Sequence, residues 1–347
     1  MNIVSNVDFN KLSFLTDAIQ LVPNQYGRLG ELGIFRLEPS ARGGIIFDRT
    51  EQEIGLLADT SGKGNKQLSS KDHKRETFSL TAPEFNYSDF MTVEDIDRVR
   101  KVGEADQPEL LADIQERKLT KLRRKHEQTH EFLRMGALKG ITITPDGRVY
   151  ANMFTEFAVT PKVINFDFTD IDLDIQGLCR DMLRHMEDNA QNGSWAGAAH
   201  QLVSPEFFDA LTKHPKIYEA YNQYENLNQV ANAQVNRDDL GRVRFGRTFF
   251  HCGVMFEEYR ATAKYNGVSV KFIETGVGYG YPMGLEDLFV TYALPAKKFD
   301  SINGLGQETY AWQHPIERGE QAEIESYSSV LPVCRHPQTL VKVTGSY

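Results

Sequence analysis

Two histidines four positions apart, with a glutamate after the first, make the sharpest chemical pattern in the chain: His126-Glu127-Gln128-Thr129-His130. On a helix the two imidazoles fall one turn apart and can share a zinc ion, while the glutamate takes a proton from metal-bound water. Such a site needs a third ligand. The extended form of the motif would place a glycine and a third histidine where Leu133 and Gly136 stand. The alternative is a downstream glutamate such as Glu156, and nothing in the sequence around it marks a ligand. The plainer reading is a pair of hydrogen-bonded packing histidines at the border of an apolar helix stripe. We expect no catalytic residue, no metal ligand and no cofactor-binding residue.

Other patterns are weaker. The basic run Lys121-Leu122-Arg123-Arg124-Lys125 would face nucleic acid in a functional reading. The plainer reading is a solvated helix face with i,i+4 pairs such as Arg123–Glu127. Gly276-Val277-Gly278-Tyr279-Gly280 looks like part of a dinucleotide loop, but the residues after it, Tyr281-Pro282-Met283-Gly284, do not open a helix. Gly62-Lys63-Gly64-Asn65-Lys66 lies at a hairpin tip with no helix behind it, so it reads as a turn and not a phosphate loop.

These residues sit in a chain of 347, with 40% hydrophobic and 25% charged residues, ordinary proportions for a globular protein with a proper core. Net charge is -9, from 39 basic and 48 acidic residues, the wrong sign for a chain whose main task is gripping phosphates. The three cysteines, Cys179, Cys252 and Cys334, are odd in number and far apart, which points to free thiols in a reducing cytoplasm. No stretch approaches the run of about eighteen apolar residues that a membrane helix needs. The first residues do not read as a secretory signal.

The elements that must position these side chains can be outlined from periodicity. Residues 1–38 read as an arm, with Gly27, Gly30 and Gly33 favouring irregular backbone. Residues 42–82 read as a long β-hairpin with a polar tip at Thr60–Ser70. A lone ribbon is marginal in water, so another subunit is expected to cover it. Residues 108–138 form the strongest helix, with Pro108 and Glu109 suited to its first turn and Gly140 to its end, roughly 45 Å long at 1.5 Å per residue. Leu111, Ile114, Leu119, Leu122, Thr129, Phe132, Leu133 and Ala137 share its apolar stripe, and Glu127 and Arg134 fall opposite. A hairpin follows around Pro145-Asp146-Gly147, then an amphipathic helix over 171–189 and a helix opened by Ser204-Pro205-Glu206 that runs, interrupted by Pro215, to about Tyr224. The polar stretch 226–246 reads as an ordered loop or surface excursion. Strands are expected at Phe249–Tyr259, Val268–Ile273, Leu288–Tyr292 and Leu340–Val343.

Several segments together resemble the lambda-type major capsid proteins of tailed phages, the capsid protein E group. Gly27–Phe35 (GRLGELGIF) is similar to that family's R-L-G-x-L-G-L-F segment, and Thr129–Gly140 (THEFLRMGALKG) to its T-H-E-x-x-x-x-G-A-L-K-G segment. Asn152–Phe157, Phe207–Leu211, Phe256–Arg260, Phe289–Ala296 and Ser328–Pro337 fit in the same order. The resemblance implies an α+β chain with the capsid fold first described in phage Hong Kong 97. Its implied parts are an N-terminal arm (1–38), an extended β-hairpin or E-loop (39–92), a peripheral domain with the spine helix (93–190), an axial domain (191–300) and C-terminal strands returning to the peripheral domain (301–347). It implies a subunit without enzymatic activity that self-assembles into hexamers and pentamers of an icosahedral head around double-stranded DNA. Implied partners are copies of itself, with portal and scaffold during assembly. A decoration protein is left open. Packaged DNA would be touched only non-specifically, and no membrane is involved. The implied location is the virion, after assembly in the bacterial cytoplasm. No large cleaved prodomain is expected, and covalent cross-linking is left open because no residue-level match would carry that chemistry. The rival classes are a zinc protease and a tail or other virion protein that forms tubes or rings.

Overall fold

The computed structural model describes residues 27–41, 43–50, 75–92, 111–190, 195, 197–219, 247–299, 301, 304–315 and 321–347. The arm before Gly27, the hairpin tip at 60–70, the first turn expected of the long helix and the 226–246 stretch therefore lie outside the described residues. In chain order, helix α1 (Arg28–Glu31) precedes strand β1 (Phe35–Pro39), and β2 (Ile45–Thr50) pairs antiparallel with β3 (Arg75–Leu80). After β4 (Phe85–Thr92) comes the long helix α2 (Leu111–Leu138). Its 28 residues span about 42 Å. It ends where Gly140 takes a left-handed conformation and donates its N–H to the Ala137 carbonyl, the role the sequence assigns to that glycine.

The first half of α2 places Ile114, Leu119 and Leu122 on Met91, Ala311 and Ile324. These last three belong to a sheet in which β16 (Gln321–Ser328) lies between β15 (Tyr310–Pro315) and β4. Its second half is buried nearly all round, and this departs from the amphipathic projection. Glu127 and Arg134, expected on a solvent face, are buried. Periodicity assigns polar residues outward, but a buried charge is tolerated when a partner reaches it. Glu127 has Arg123 at 3.0 Å and Arg134 has Glu308 at 3.3 Å. In the basic run Lys121, Arg124 and Lys125 are exposed, with Lys121 2.8 Å from Asp89 and Lys125 over the Tyr87 ring of β4.

The hairpin root rests one face on its own subunit. Ile45, Phe47 and Leu80 are buried against Ala151, Met153, Leu294, Leu331 and Val333 of the same chain, and Phe47 stacks on Phe78. One face of the described ribbon is therefore covered by its own subunit, while Ile46 on the other face is 56% exposed. It sits near a small hairpin, β5 (Ile141–Ile143) with β6 (Val149–Asn152), and the one-turn helix α3 (Met153–Glu156).

The remaining elements are β7 (Lys162–Asp167), α4 (Ile175–Asn189), β8 (Ala199–Val203), α5 (Pro205–Lys213), β9 (Thr248–His251), β10 (Val254–Glu258), β11 (Thr262–Tyr265), β12 (Val268–Lys271), β13 (Val277–Pro282), β14 (Phe289–Ala293), β17 (Val330–Cys334) and β18 (Val341–Ser346). A mixed six-stranded sheet has the order β7-β18-β13-β8-β10-β9. Helices α4 and α5 bury Cys179, Met182, Met186, Phe207 and Leu211 on one of its faces, among Phe166, Val203, Phe256 and Val343. Leu202, Tyr279 and Tyr281 serve the other face, where Leu29 of α1, Met135 and Leu138 of α2, and Phe289 of β14 close the core. Strands β1-β14-β17 form a separate three-stranded sheet in which β1 runs parallel to β14. The architecture is α+β, as the resemblance implies.

Helix α4 starts at Ile175 and not at 171, because the Asp174 carboxylate caps it by accepting from the Gly177 N–H at 2.9 Å. Helix α5 begins as expected, with Ser204 accepting from Phe207 N–H. The strand expected over Phe249–Tyr259 is a tight hairpin, turned at Cys252 and Gly253, both with positive φ. The Val268–Ile273 strand ends at Lys271 and pairs with β11 across Asn266-Gly267, also both at positive φ. Asn-Gly between short apolar runs is the sequence sign of such a turn. The glycine-rich 276–280 run is a buried strand. A Cβ on Gly278 would lie 2.5 Å from Val203 Cγ1, so glycine there permits close strand packing.

Candidate functional site

The chemical motif on α2 divides between two faces of the helix. His126 and His130 point at β16, where Nε2 of each lies 2.9 Å from Ser326 Oγ and 2.7 Å from Ser328 Oγ respectively. Both serine hydroxyls donate to carbonyls, Ser326 to Tyr87 and Ser328 to Glu308. Each imidazole must then be the Nε2–H donor to its serine, which fixes both tautomers. The rings lie 6.2 Å apart, each directed at its own serine, and Glu127 is engaged by Arg123. Among the described residues no group of three or more His, Cys, Asp or Glu is placed to hold a metal ion. Glu156 ends α3, elsewhere in the fold. Burial pushes His126 down to about 4. Burial, reinforced by Arg134, His126 and Arg123, holds His130 well below the usual histidine range. Burial also raises Glu127, with Arg123 and Arg134 opposing it. The pair therefore works as neutral hydrogen-bond donors that fasten the long helix to β16.

The glutamate next in line, Glu131, turns the other way. Its carboxylate accepts from Leu29 N–H at 2.8 Å, Gly30 N–H at 3.2 Å and the Tyr259 hydroxyl at 2.8 Å. Two orphan amides of the start of α1 are thereby satisfied by a side chain from 102 and 101 residues away. Gly27 approaches the same carboxylate so closely that a Cβ would collide with it, and its φ of 106° is open only to glycine. Burial raises the Tyr259 hydroxyl, with the Glu131 charge adding to the shift, so it stays a proton donor.

A second carboxylate completes the clamp. Glu257 on β10 takes Arg28 Nε at 2.6 Å and His200 Nε2 at 2.9 Å. With a carboxylate at Nε2, His200 leaves Nδ1 to accept from the Tyr281 hydroxyl at 2.8 Å. Burial pushes Glu257 up, but the bonds from His200 and Arg28 outweigh it and the carboxyl is lowered overall. Past α1, the chain enters β1, where Glu38 accepts from Arg335 at 2.7 Å and Arg335 also donates to Tyr292 at 2.6 Å.

The structure thus brings together segments that the sequence shows only as separate short motifs. Arg28 and Leu29, Glu131, Glu257 and Tyr259, Tyr292, and Ser328 and Arg335 come from five of them. Sequence reasoning missed the bonding of Arg28, His200, Glu257 and Tyr281, since no local spacing joins residues 229 or 81 positions apart. What the arrangement does chemically is hold: His126 and His130 tie α2 to β16, and Glu131 and Glu257, with the Tyr259 phenol, tie α1 to α2 and β10.

The family model described as phage major capsid protein E matches residues 11–345. The major capsid protein of Salmonella phage Felix O1 (isolate Felix O1-VT1) is 31% identical over 350 residues, covering 96% of this chain and 95% of that protein. The major capsid protein of Pseudomonas phage KPP10 is 31% identical over 336 residues, covering 94% and 95%. Among solved structures, the putative capsid protein of a prophage of E.coli CFT073 superposes with a TM-score of 0.57 at 12% identity, covering 97% of this chain and 99% of that one, a likeness of fold.

Proposed function

The chain belongs to the phage major capsid protein E family and has the Hong Kong 97 type of capsid fold, and on that premise we propose how it builds a shell. Copies self-assemble into hexamers and pentamers of an icosahedral tailed-phage head around double-stranded DNA. Residues 1–38 act as the arm, 39–92 as the E-loop hairpin, 93–190 as the peripheral domain with α2 as its spine, 191–300 as the axial domain, and 301–347 as strands that return to the peripheral domain. Portal and scaffold join during assembly in the host cytoplasm, and the mature location is the virion. The subunit catalyses nothing and needs no metal or cofactor.

The observation that carries this reading is the clamp. Its His200, Glu257, Glu131 and Tyr259 form bonds that hold α1, at the described start of the arm. A shell subunit needs such a root, because an arm can position a neighbour only if its own origin does not swing. Net charge of -9 also suits a container that should not adhere to its DNA. The test is negative-stain microscopy of the protein expressed alone and with a candidate scaffold. Closed polyhedral particles or capsomer rings are expected. A small, stable monomer under every condition would overturn the proposal and reopen a zinc assay on His126 and His130.

A further inference from the structure

The ribbon formed by β11 and β12 is basic in a chain that is acidic. From Arg260 to Phe272 the sequence holds Arg260, Lys264 and Lys271 and no acidic residue; Arg260 pairs with Glu258 at 3.5 Å, and Lys264 stands on the exposed end. Every residue from 264 to 269 is exposed. Tyr265 and Val268 are cross-strand partners at its end, with Val268 67% exposed. An exposed two-stranded ribbon ending in an apolar pair stabilises its own subunit little and is suited to insertion elsewhere.

The same chain holds a surface of opposite character. Between β7 and α4 the turn carries Asp167, Asp170, Asp172 and Asp174 with no basic residue, and Ile171 stands 70% exposed between two of the aspartates. The two surfaces lie at opposite ends of α5. Lys271 of the ribbon bonds Glu206 in the first turn of that helix, at 3.2 Å. Past its last turn, the His214 side chain meets the Asp170 carbonyl at 3.1 Å and Lys216 meets Asp172. Complementary patches at opposite ends of one element cannot satisfy each other within a subunit. Between subunits they would make a head-to-tail contact, the kind that closes into rings.

We propose that the β11–β12 ribbon of one subunit docks on the Asp167–Asp174 turn of the next copy around the capsomer, with Tyr265 and Val268 against Ile171 and Lys264 among the aspartates. This inference rests on the shell-forming reading above and names one of its contacts. Apolar contact at the centre with opposite charges at the rim gives the interface its register and its specificity. Nucleic acid is the other occupant a basic ribbon suggests. The matching acidic turn on the same chain favours a second copy.

The test is a charge swap at exposed positions: Lys264→Glu, Asp172→Lys, and the two together. Asp172 has a side chain 94% exposed, so the fold should tolerate the change, and thermal unfolding of each variant checks this. Particle yield is read by sedimentation and negative-stain microscopy beside the parent. Each single variant should lower yield by about tenfold, and the double variant should recover most of it. Single variants that assemble like the parent, or a double variant no better than the worse single, would overturn the contact. Unchanged particle yield with less retained DNA in Lys264→Glu would overturn it in favour of a nucleic-acid role. A parent chain that forms no particles would sink the shell-forming reading and this inference with it.

Discussion

Replacing Glu131 with alanine leaves Leu29 N–H, Gly30 N–H and the Tyr259 hydroxyl without their shared acceptor. The site is buried, so water cannot take over freely; each abandoned donor costs about 1–3 kcal/mol. Removing the carboxylate also removes the cost of burying its charge, so the net loss should be about 3–5 kcal/mol and not the full sum. Glu131→Gln keeps an acceptor where Oε1 stands, facing Leu29 and Tyr259, but sets an amide NH2 against the Gly30 N–H; about 1–2 kcal/mol is expected. Two assays separate local from global effects. The urea midpoint reports the whole fold. Limited proteolysis near Gly27–Ile34 reports opening of the arm root, and a local loss of about 3 kcal/mol raises the open population by about a hundredfold. Tyr259→Phe alone should cost about 1 kcal/mol, and far less in the Glu131→Ala background, because its partner is already gone. An alanine variant with the parent's cleavage rate and a midpoint equivalent within about 0.5 kcal/mol would refute the clamp argument.

The remaining predictions follow from the same geometry. Burial holds His126 at about 4 and His130 well below its usual range, so the unfolded chain binds more protons than the folded one below about pH 6.5. The stability from keeping these imidazoles neutral is therefore complete above about pH 6.5 and is lost as pH falls, His126 alone giving up about 3 kcal/mol by pH 4. His126→Gln, which retains a donor for Ser326, should flatten the pH dependence of the urea midpoint; an unchanged slope would refute the assignment. Gly306→Ala would drive a Cβ into the Ala293 carbonyl at the end of β14, and a drop of about 1–3 kcal/mol in unfolding free energy is expected. A thiol reagent should label Cys252 first, at its exposed turn, and reach Cys179 and Cys334 only on unfolding, since burial both shields them and raises their thiols. Equal labelling of all three in the folded protein would contradict the packing.

Local chemistry was legible in the sequence because it is decided by near neighbours. The extent of α2, the Gly140 stop, the Ser204 cap with Pro205 behind it and the hairpin at Pro145-Asp146-Gly147 each depend on residues a turn or two apart. The family segments were legible too, as ordered short strings. The Asn266-Gly267 turn is likewise written in neighbouring residues. What no spacing contained was the use of the charged and polar side chains. Glu127 and Arg134 read as outward by period, yet they lie inside because Arg123 and Glu308 meet them there. The two motif histidines carry the types and spacing of zinc ligands, and only β16, arriving some 200 residues later with Ser326 and Ser328, turns them into struts. Glu131 and Glu257 close on α1 across 102 and 229 residues. Periodicity reports how a segment partitions between water and an average interior; which partner awaits each buried charge is a property of topology, and topology exists only in the folded chain.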